Sequence, residues 1–132
     1  MKLSEQKLKK KLTSQQYRVL REKSTELPFT GKLLRNKDKG MYVCPVCGNK
    51  LFSSDTKFDS GTGWPSFDKA IQGAVKLKED NVLFIKQSEV ICAKCNSHLG
   101  HVYNDGPTDT GKRFCINSCA LEFEGNEKNN KK

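Results

Sequence analysis

Two C-x-x-C pairs, Cys44-Pro45-Val46-Cys47 and Cys92-Ala93-Lys94-Cys95, constrain this chain more than any other feature in it. Each is followed by a residue that tolerates left-handed backbone, Gly48 and Asn96, as a tight turn around a metal demands. Four thiolates in a tetrahedral array suit zinc, and a shell closed by four protein ligands marks a structural site rather than a catalytic one. Iron also accepts four thiolates, and a pair of redox disulfides is the remaining alternative. The 44 residues between the pairs exceed the usual zinc-ribbon gap, so the clasp is expected to tie distant parts of a sheet together. Zinc binding at such a site contributes on the order of 10 kcal/mol, enough to stabilise a small β domain substantially.

At 132 residues the chain makes one domain. No run approaches the ~18 apolar residues of a membrane span, and the lysines at the N-terminus precede only isolated leucines, Leu3, Leu8 and Leu12, not a signal-peptide apolar region. A cytoplasmic setting is therefore expected, where cysteine pairs point to metal or catalysis rather than structural disulfides. The net charge of +9 is uneven: residues 1–40 carry 12 Lys/Arg against 4 Asp/Glu, whereas residues 41–124 carry 9 against 10. The positive excess thus lies outside the segment that holds every Cys and His. A solvated charge run accounts for it, as does weak contact with an acidic partner.

Residues 1–11 read as a basic, mobile lead-in. Thr13 followed by Gln16 fits a capping box, and Tyr17 with Leu20 gives one apolar face, which predicts a short helix over 13–24. Pro28 and Gly31 then mark a loop. From Met41 onward the texture changes to short β-type runs, with strands expected at 41–43, 74–78, 82–86, 89–91, 98–103, 113–117 and 121–124. The turn Glu79-Asp80-Asn81 predicts a hairpin between the second and third of these. Residues 125–132 have little to bury and are expected to form a disordered polar tail.

Three stretches carry candidate chemistry. In Arg113-Phe114-Cys115-Ile116-Asn117, strand alternation puts Arg113, Cys115 and Asn117 on one face and Phe114 and Ile116 on the other. A cation beside a thiol favours the reactive thiolate, although an ordinary buried strand cysteine fits the segment too. The loop Gly61-Thr62-Gly63-Trp64-Pro65-Ser66-Phe67 presents the lone tryptophan, either lining an apolar slot or plugging the core. Ser97-His98-Leu99-Gly100-His101 holds both histidines, the natural proton donors near neutral pH. Because four cysteines are available to a metal, neither ring is needed as a ligand. Asp105, in the turn Asn104-Asp105-Gly106-Pro107, serves either to orient a histidine or simply to close the turn.

Taken together these segments closely resemble the methionine sulfoxide reductase B family. The matching pieces include Glu26-Leu27-Pro28-Phe29-Thr30-Gly31, both cysteine knuckles, Gly63-Trp64-Pro65-Ser66-Phe67, His98-Leu99-Gly100-His101-Val102, Asp105-Gly106-Pro107 and Arg113-Phe114-Cys115-Ile116-Asn117-Ser118, in order through residues 12–123. The resemblance implies a mainly β fold of two antiparallel sheets (β-tent type) with a short N-terminal helix and one structural zinc on Cys44, Cys47, Cys92 and Cys95. It implies a single catalytic domain over 12–124 that reduces the R-epimer of methionine sulfoxide, free or in oxidised proteins, a repair of oxidative damage. Cys115 would be the nucleophile and pass through a sulfenic acid. His98, His101 and Asn117 would bind or protonate the sulfoxide oxygen, Trp64 would receive the methyl group, and Arg113 would favour the thiolate.

One departure stands out: many relatives place a resolving cysteine where this chain has Thr62. The spare thiol, Cys119, would lie ~13 Å from Cys115 if the strand continued, beyond disulfide reach. Regeneration by an external thiol such as thioredoxin, a related carrier or glutathione is therefore expected, in a chain acting as a monomer without nucleic acid or membrane. Two other readings remain: a zinc-ribbon module binding nucleic acid or protein through its basic N-terminal region, and a redox sensor that oxidises at Cys115 without turnover. The near-neutral remainder of the chain argues against the first, since nucleic-acid binders concentrate positive charge on the contact face.

Overall fold

The computed structural model describes residues 5–79 and 88–125. Two helices, α1 (Glu5–Lys11) and α2 (Ser14–Glu22), precede nine described strands: β1 (Gly40–Val43), β2 (Lys50–Ser53), β3 (Lys57–Phe58), β4 (Ser66–Phe67), β5 (Val75–Glu79), β6 (Ser88–Cys92), β7 (His98–Tyr103), β8 (Arg113–Ile116) and β9 (Glu122–Gly125). They form two antiparallel sheets, one in the order β2-β1-β9 and the other in the order β3-β4-β8-β7-β6-β5. The expected architecture of two antiparallel sheets is what the chain adopts.

The capping box forms as read: the Thr13 hydroxyl accepts from the Gln16 amide at 3.0 Å, and the Gln16 side chain accepts from the Thr13 amide at 2.9 Å. These bonds satisfy donors that a helix start otherwise leaves open. Lys23, left-handed at φ 62°, ends α2. Residues 5–11, expected as lead-in, instead form α1. Leu8 in the helix and Leu12 just past its end, whose amide still bonds the Leu8 carbonyl, are 2% and 6% exposed and join the core.

β2, β3 and β4 were absent from the expected strands. β2 is four residues with only Leu51 and Phe52 apolar, and the other two are two-residue pairings whose partners lie elsewhere in the chain. β5 pairs with β6, Leu77 opposite Val90 and Glu79 opposite Ser88. The strand expected at 82–86, and with it the hairpin at Glu79-Asp80-Asn81, lies outside the described residues.

Aromatic rings bridge the two sheets. Phe52 of β2 stacks on Phe67 of β4 at 4.4 Å between centroids and meets Phe114 of β8 edge-on at 5.7 Å; Tyr42 of β1 meets Phe67 at 5.2 Å. Each such pair adds about 0.5–1.5 kcal/mol beyond the area it buries. Phe114 therefore faces the core, which turns its strand neighbours Arg113 and Cys115 to the opposite face, as alternation requires.

Candidate active site and metal centre

β8 ends at Ile116, and the chain leaves the six-stranded sheet through a 3-10 turn, Ser118–Ala120, before entering β9 in the other sheet. Glu26 holds this crossing. Its carboxylate is 5% exposed and accepts from the Ser118 amide at 2.8 Å and the Cys119 amide at 3.0 Å. Its own amide donates to Asn117 Oδ1 at 3.0 Å, and its carbonyl accepts from Trp64 Nε1 at 3.0 Å. One buried glutamate thus links the loop before β1, the tryptophan loop and the end of the cysteine strand. Sequence reasoning gave Glu26 no role, although it stands in a family-like segment.

The sulfur of Cys115 is half-buried and lies among polar side chains. Arg113 Nη1 donates to it at 2.9 Å, and the hydroxyls of Thr62 and Ser66 each lie 3.7 Å away. Arg113 is fixed by Asp105, whose carboxylate accepts from Nε at 2.8 Å and Nη2 at 3.0 Å, and by the Tyr103 ring 4.5 Å from the guanidinium carbon. Hydrogen bonding to Asp105 raises the guanidinium above its ordinary value, so the charge beside the sulfur is permanent. Asp105 thus orients the arginine, a role not considered from sequence.

The two histidines share a face for a reason the motif alone does not reveal. Residues three apart on a regular strand point to opposite sides. Here Ile91 pairs with His98 and Val90 with Gly100, so Leu99 is an extra residue on β7 and the strand bulges. The bulge brings the rings within 5.5 Å, His101 opposite both Cys115 and Glu89, and His98 Nδ1 at 2.8 Å from Glu89 Oε2. The bulged Leu99 carbonyl accepts from both the backbone amide and the side-chain amide of Asn117, each at 3.0 Å. Gly100 allows the strands to close, because a Cβ there would collide with the Cys115 carbonyl.

Glu89 is a second residue that sequence reading missed. It is 5% exposed, bonded to His98 and 3.6 Å from Lys23 Nζ. Burial draws the His98 ring below its ordinary value while Glu89 pulls it back up. With Nδ1 occupied by Glu89, His98 Nε2 is a buried nitrogen with no partner among the described residues. Lys23, Lys78, Glu79, Glu89, His98 and His101 line a cavity of about 360 Å³ beside the sulfur's strand.

Cys119 lies on the far side of the crossing, packed against Glu26. Burial and that carboxylate push its thiol up to about 12. Because the strand ends at Ile116, the extended spacing assumed from sequence between Cys115 and Cys119 does not apply. Partial burial and the Glu26 carboxylate, not strand length, are what disfavour its thiolate.

The four remaining cysteines converge as their spacing predicts. Their Sγ atoms all lie within 4.8 Å of one another, with Cys44–Cys95 and Cys47–Cys92 both at 3.6 Å. An ion holding sulfur at about 2.3 Å in a tetrahedron spaces its ligands about 3.8 Å apart, so the cluster fits one. Gly48 at φ 79° and Asn96 at φ 63° make the two knuckles, and their amides return to the Cys44 and Cys92 carbonyls at 2.8 Å. Hydrogen bonding to Cys92 pushes the Cys44 thiol up, burial pushes Cys47 up to about 11, and bonds from Cys44 draw Cys92 down. Four sulfurs this close hold their negative charge together only around a cation. Cys44 and Cys47 follow β1 of one sheet, whereas Cys92 and Cys95 end β6 of the other. The clasp therefore joins the two sheets.

Comparison with known proteins agrees with this geometry. The SelR domain matches residues 12–125. The peptide methionine sulfoxide reductase MsrB of Methanosarcina barkeri is 58% identical over 125 residues, spanning 94% of this chain and 88% of that protein. Its namesake in Leptospira interrogans is 53% identical over 122 residues, spanning 92% and 93%. The mouse mitochondrial methionine-R-sulfoxide reductase B3 is 49% identical over 121 residues, 91% of this chain and 48% of the mouse protein. Among solved structures, the Mis18 Yippee-like domain shares 19% identity at a TM-score of 0.53, covering 65% of this chain and 95% of that domain, a likeness of fold alone. With the domain matched from residue 12 to 125 and relatives this similar over nearly the whole chain, the protein belongs to the methionine sulfoxide reductase B family.

Proposed function

We propose that this chain, through a single catalytic domain over residues 12–124, reduces the R-epimer of methionine sulfoxide, protein-bound or free, with Cys115 as nucleophile. The observation that carries the reading is the placement of the Cys115 sulfur 2.9 Å from a guanidinium, on the sheet face that also holds both histidines. The family supports the substrate, and the name of the mouse relative supports the R-epimer.

The Cys115 sulfur attacks the sulfoxide sulfur. The oxygen passes to Cys115 as its bond to the substrate sulfur breaks, methionine departs, and one proton ends on the transferred oxygen to give a sulfenic acid. Oxide is a poor leaving group unless protonated, so an acid must stand opposite the thiolate. His98 and His101 fill that role, with Glu89 fixing the His98 ring through Nδ1. Asn117, braced by bonds to Glu26 and Leu99, keeps a second Nδ2–H to offer the sulfoxide oxygen. Trp64, anchored through Nε1 on the Glu26 carbonyl, is the residue assigned to receive the methyl group. Arg113 holds negative charge on sulfur.

Thr62, whose hydroxyl lies 3.7 Å from the Cys115 sulfur, stands where many relatives would carry a resolving cysteine, and Cys119 is half-buried with its thiol pushed up to about 12. Regeneration then falls to two external thiols, from thioredoxin or another reductant. The first condenses with the sulfenic acid, giving a mixed disulfide and water; the second attacks that disulfide, freeing Cys115 and leaving the oxidised thiol pair. Zinc is the ion proposed for Cys44, Cys47, Cys92 and Cys95, one per chain. When bound it supplies a crosslink between the sheets and takes no part in the reaction.

Reduction of dabsylated methionine R-sulfoxide with dithiothreitol tests the reading. Turnover of the R- and not the S-epimer, abolished in Cys115→Ser, is the expected result. Inactivity together with salt-sensitive RNA or DNA binding would favour the zinc-ribbon alternative. Oxidation of Cys115 by peroxide without turnover of sulfoxide would favour the sensor.

A further inference from the structure

The hydroxyls around the Cys115 sulfur form a closed circuit that the mechanism above does not use. Thr62 Oγ1 and Ser66 Oγ each lie 3.7 Å from Sγ. Ser60 Oγ bridges them, 2.8 Å from Thr62 Oγ1 and 2.7 Å from Ser66 Oγ. The Ser60 oxygen also accepts from the Thr62 amide at 3.3 Å, which leaves its proton to be donated around the circuit. We propose that Ser60, Thr62 and Ser66 form a hydroxyl cradle in which Thr62 and Ser66 donate to the reacting sulfur when it is an anion and Ser60 swivels between them. The inference rests on the assignment of Cys115 as the reacting group.

The proton count gives the device its logic. Four atoms make four contacts: sulfur to Thr62, Thr62 to Ser60, Ser60 to Ser66 and Ser66 to sulfur. When the sulfur is a thiol, four protons fill these contacts head to tail, or Ser66 rests its proton on the Trp64 carbonyl at 3.1 Å. When the sulfur loses its proton, three remain. Thr62 and Ser66 then both turn to the sulfur, and Ser60 donates to one of them. With Arg113 the anion accepts three charge-assisted bonds and every hydroxyl still donates, while the one contact left without a proton, between Ser60 and the neighbour it turns from, must lengthen. A buried donor left unpaired is costly, so a circuit in which every hydroxyl donates in both states lets the sulfur change charge without that penalty. Ser66 is fully buried beside Cys115 in the β4–β8 register, and Ser60 and Thr62 are half-buried in the loop. The threonine therefore contributes a donor, in the place where relatives carry a second thiol.

Thr62→Val removes the hydroxyl and keeps the shape. A hydrogen bond to a charged acceptor holds about tenfold in the anion population, partly offset because a less stabilised thiolate is the better nucleophile, so alkylation should slow about threefold. The assay is iodoacetamide modification of Cys115 in the full chain, followed site by site by tandem mass spectrometry. Thr62→Ser restores the parent rate, and Ser60→Ala slows alkylation by less than Thr62→Val, since it acts only through its neighbours. Parent-rate alkylation of Thr62→Val, or a Thr62→Ser variant as slow as Thr62→Val, overturns the cradle. Alkylation needs no sulfoxide, so a chain that fails to reduce sulfoxide but shows this pattern would sink the proposed reaction and leave the cradle standing.

Discussion

Replacing Glu26 with glutamine isolates the residue that ties three segments of the site together. The carboxylate accepts two amide bonds at 2.8 and 3.0 Å while 5% exposed. Each bond to a charged acceptor is worth about 1.5–3 kcal/mol, and a buried donor left without an acceptor costs about 1–3 kcal/mol. Glutamine offers one oxygen where glutamate offered two, and turns an NH₂ toward the second amide. One of Ser118 and Cys119 keeps a weaker, neutral bond, and the other faces a donor. The expected loss is about 2–4 kcal/mol, since the backbone bonds to Asn117 and Trp64 survive the change. Urea unfolding followed by tryptophan fluorescence measures it, and the midpoint should fall by roughly 1–2 M at the slopes usual for domains of this size. The opposing effect is the cost of burying a carboxylate, which can cancel what its bonds return. A change below about 0.5 kcal/mol would mean that this cost prevails, and the claim that Glu26 braces the crossing would fail.

Three further outcomes follow from the geometry. Chelation of the proposed ion, or Cys95→Ser, should unfold the chain cooperatively, because an ion on the four cysteines would join the sheets with on the order of 10 kcal/mol; a metal-free chain with an unchanged melting curve and circular dichroism spectrum would remove the clasp from the account. Thr62→Cys places a thiol where the hydroxyl now stands 3.7 Å from Sγ, so one turnover without reductant should join the introduced thiol to Cys115 in a disulfide, read by intact and peptide mass; a persistent sulfenic acid would show that the loop cannot close.

The third concerns acid. Burial holds the His98 ring below 6.5, so in the window beneath that value the unfolded chain binds the proton more readily than the folded one. Its contribution to stability is present above 6.5 and is lost as pH falls through the window toward the folded value. His98→Asn should flatten that part of the urea-midpoint profile, and an unchanged slope would contradict it.

The cysteine pairs and the strand that bears Cys115 were legible in the sequence because each is a local pattern. Cys-x-x-Cys fixes a knuckle, and alternation fixes which face Cys115 takes. The capping box at Thr13 is local too. What escaped depended on partners far away. Leu8 and Leu12 sit among lysines, and nothing nearby says that this face is covered. β3 and β4 are two residues each and exist only because Ser66 pairs with Cys115 and Lys57 with Phe67. Glu26 and Glu89 look like surface charges until the fold buries them against Ser118 and His98. The spacing of His98 and His101 should have argued against a shared face, and only the bulge at Leu99 reverses it. The Cys115–Cys119 separation was reasoned from an unbroken strand, which the 3-10 turn interrupts.

The most direct test of the central claim is a single turnover of the full chain with methionine R-sulfoxide, without reductant and with dimedone present. The account predicts one methionine released per chain and a dimedone adduct on Cys115, with the four clasp cysteines and Cys119 unmodified. Methionine release without an adduct, with Cys115 instead joined to Cys119, or no methionine at all, would contradict it.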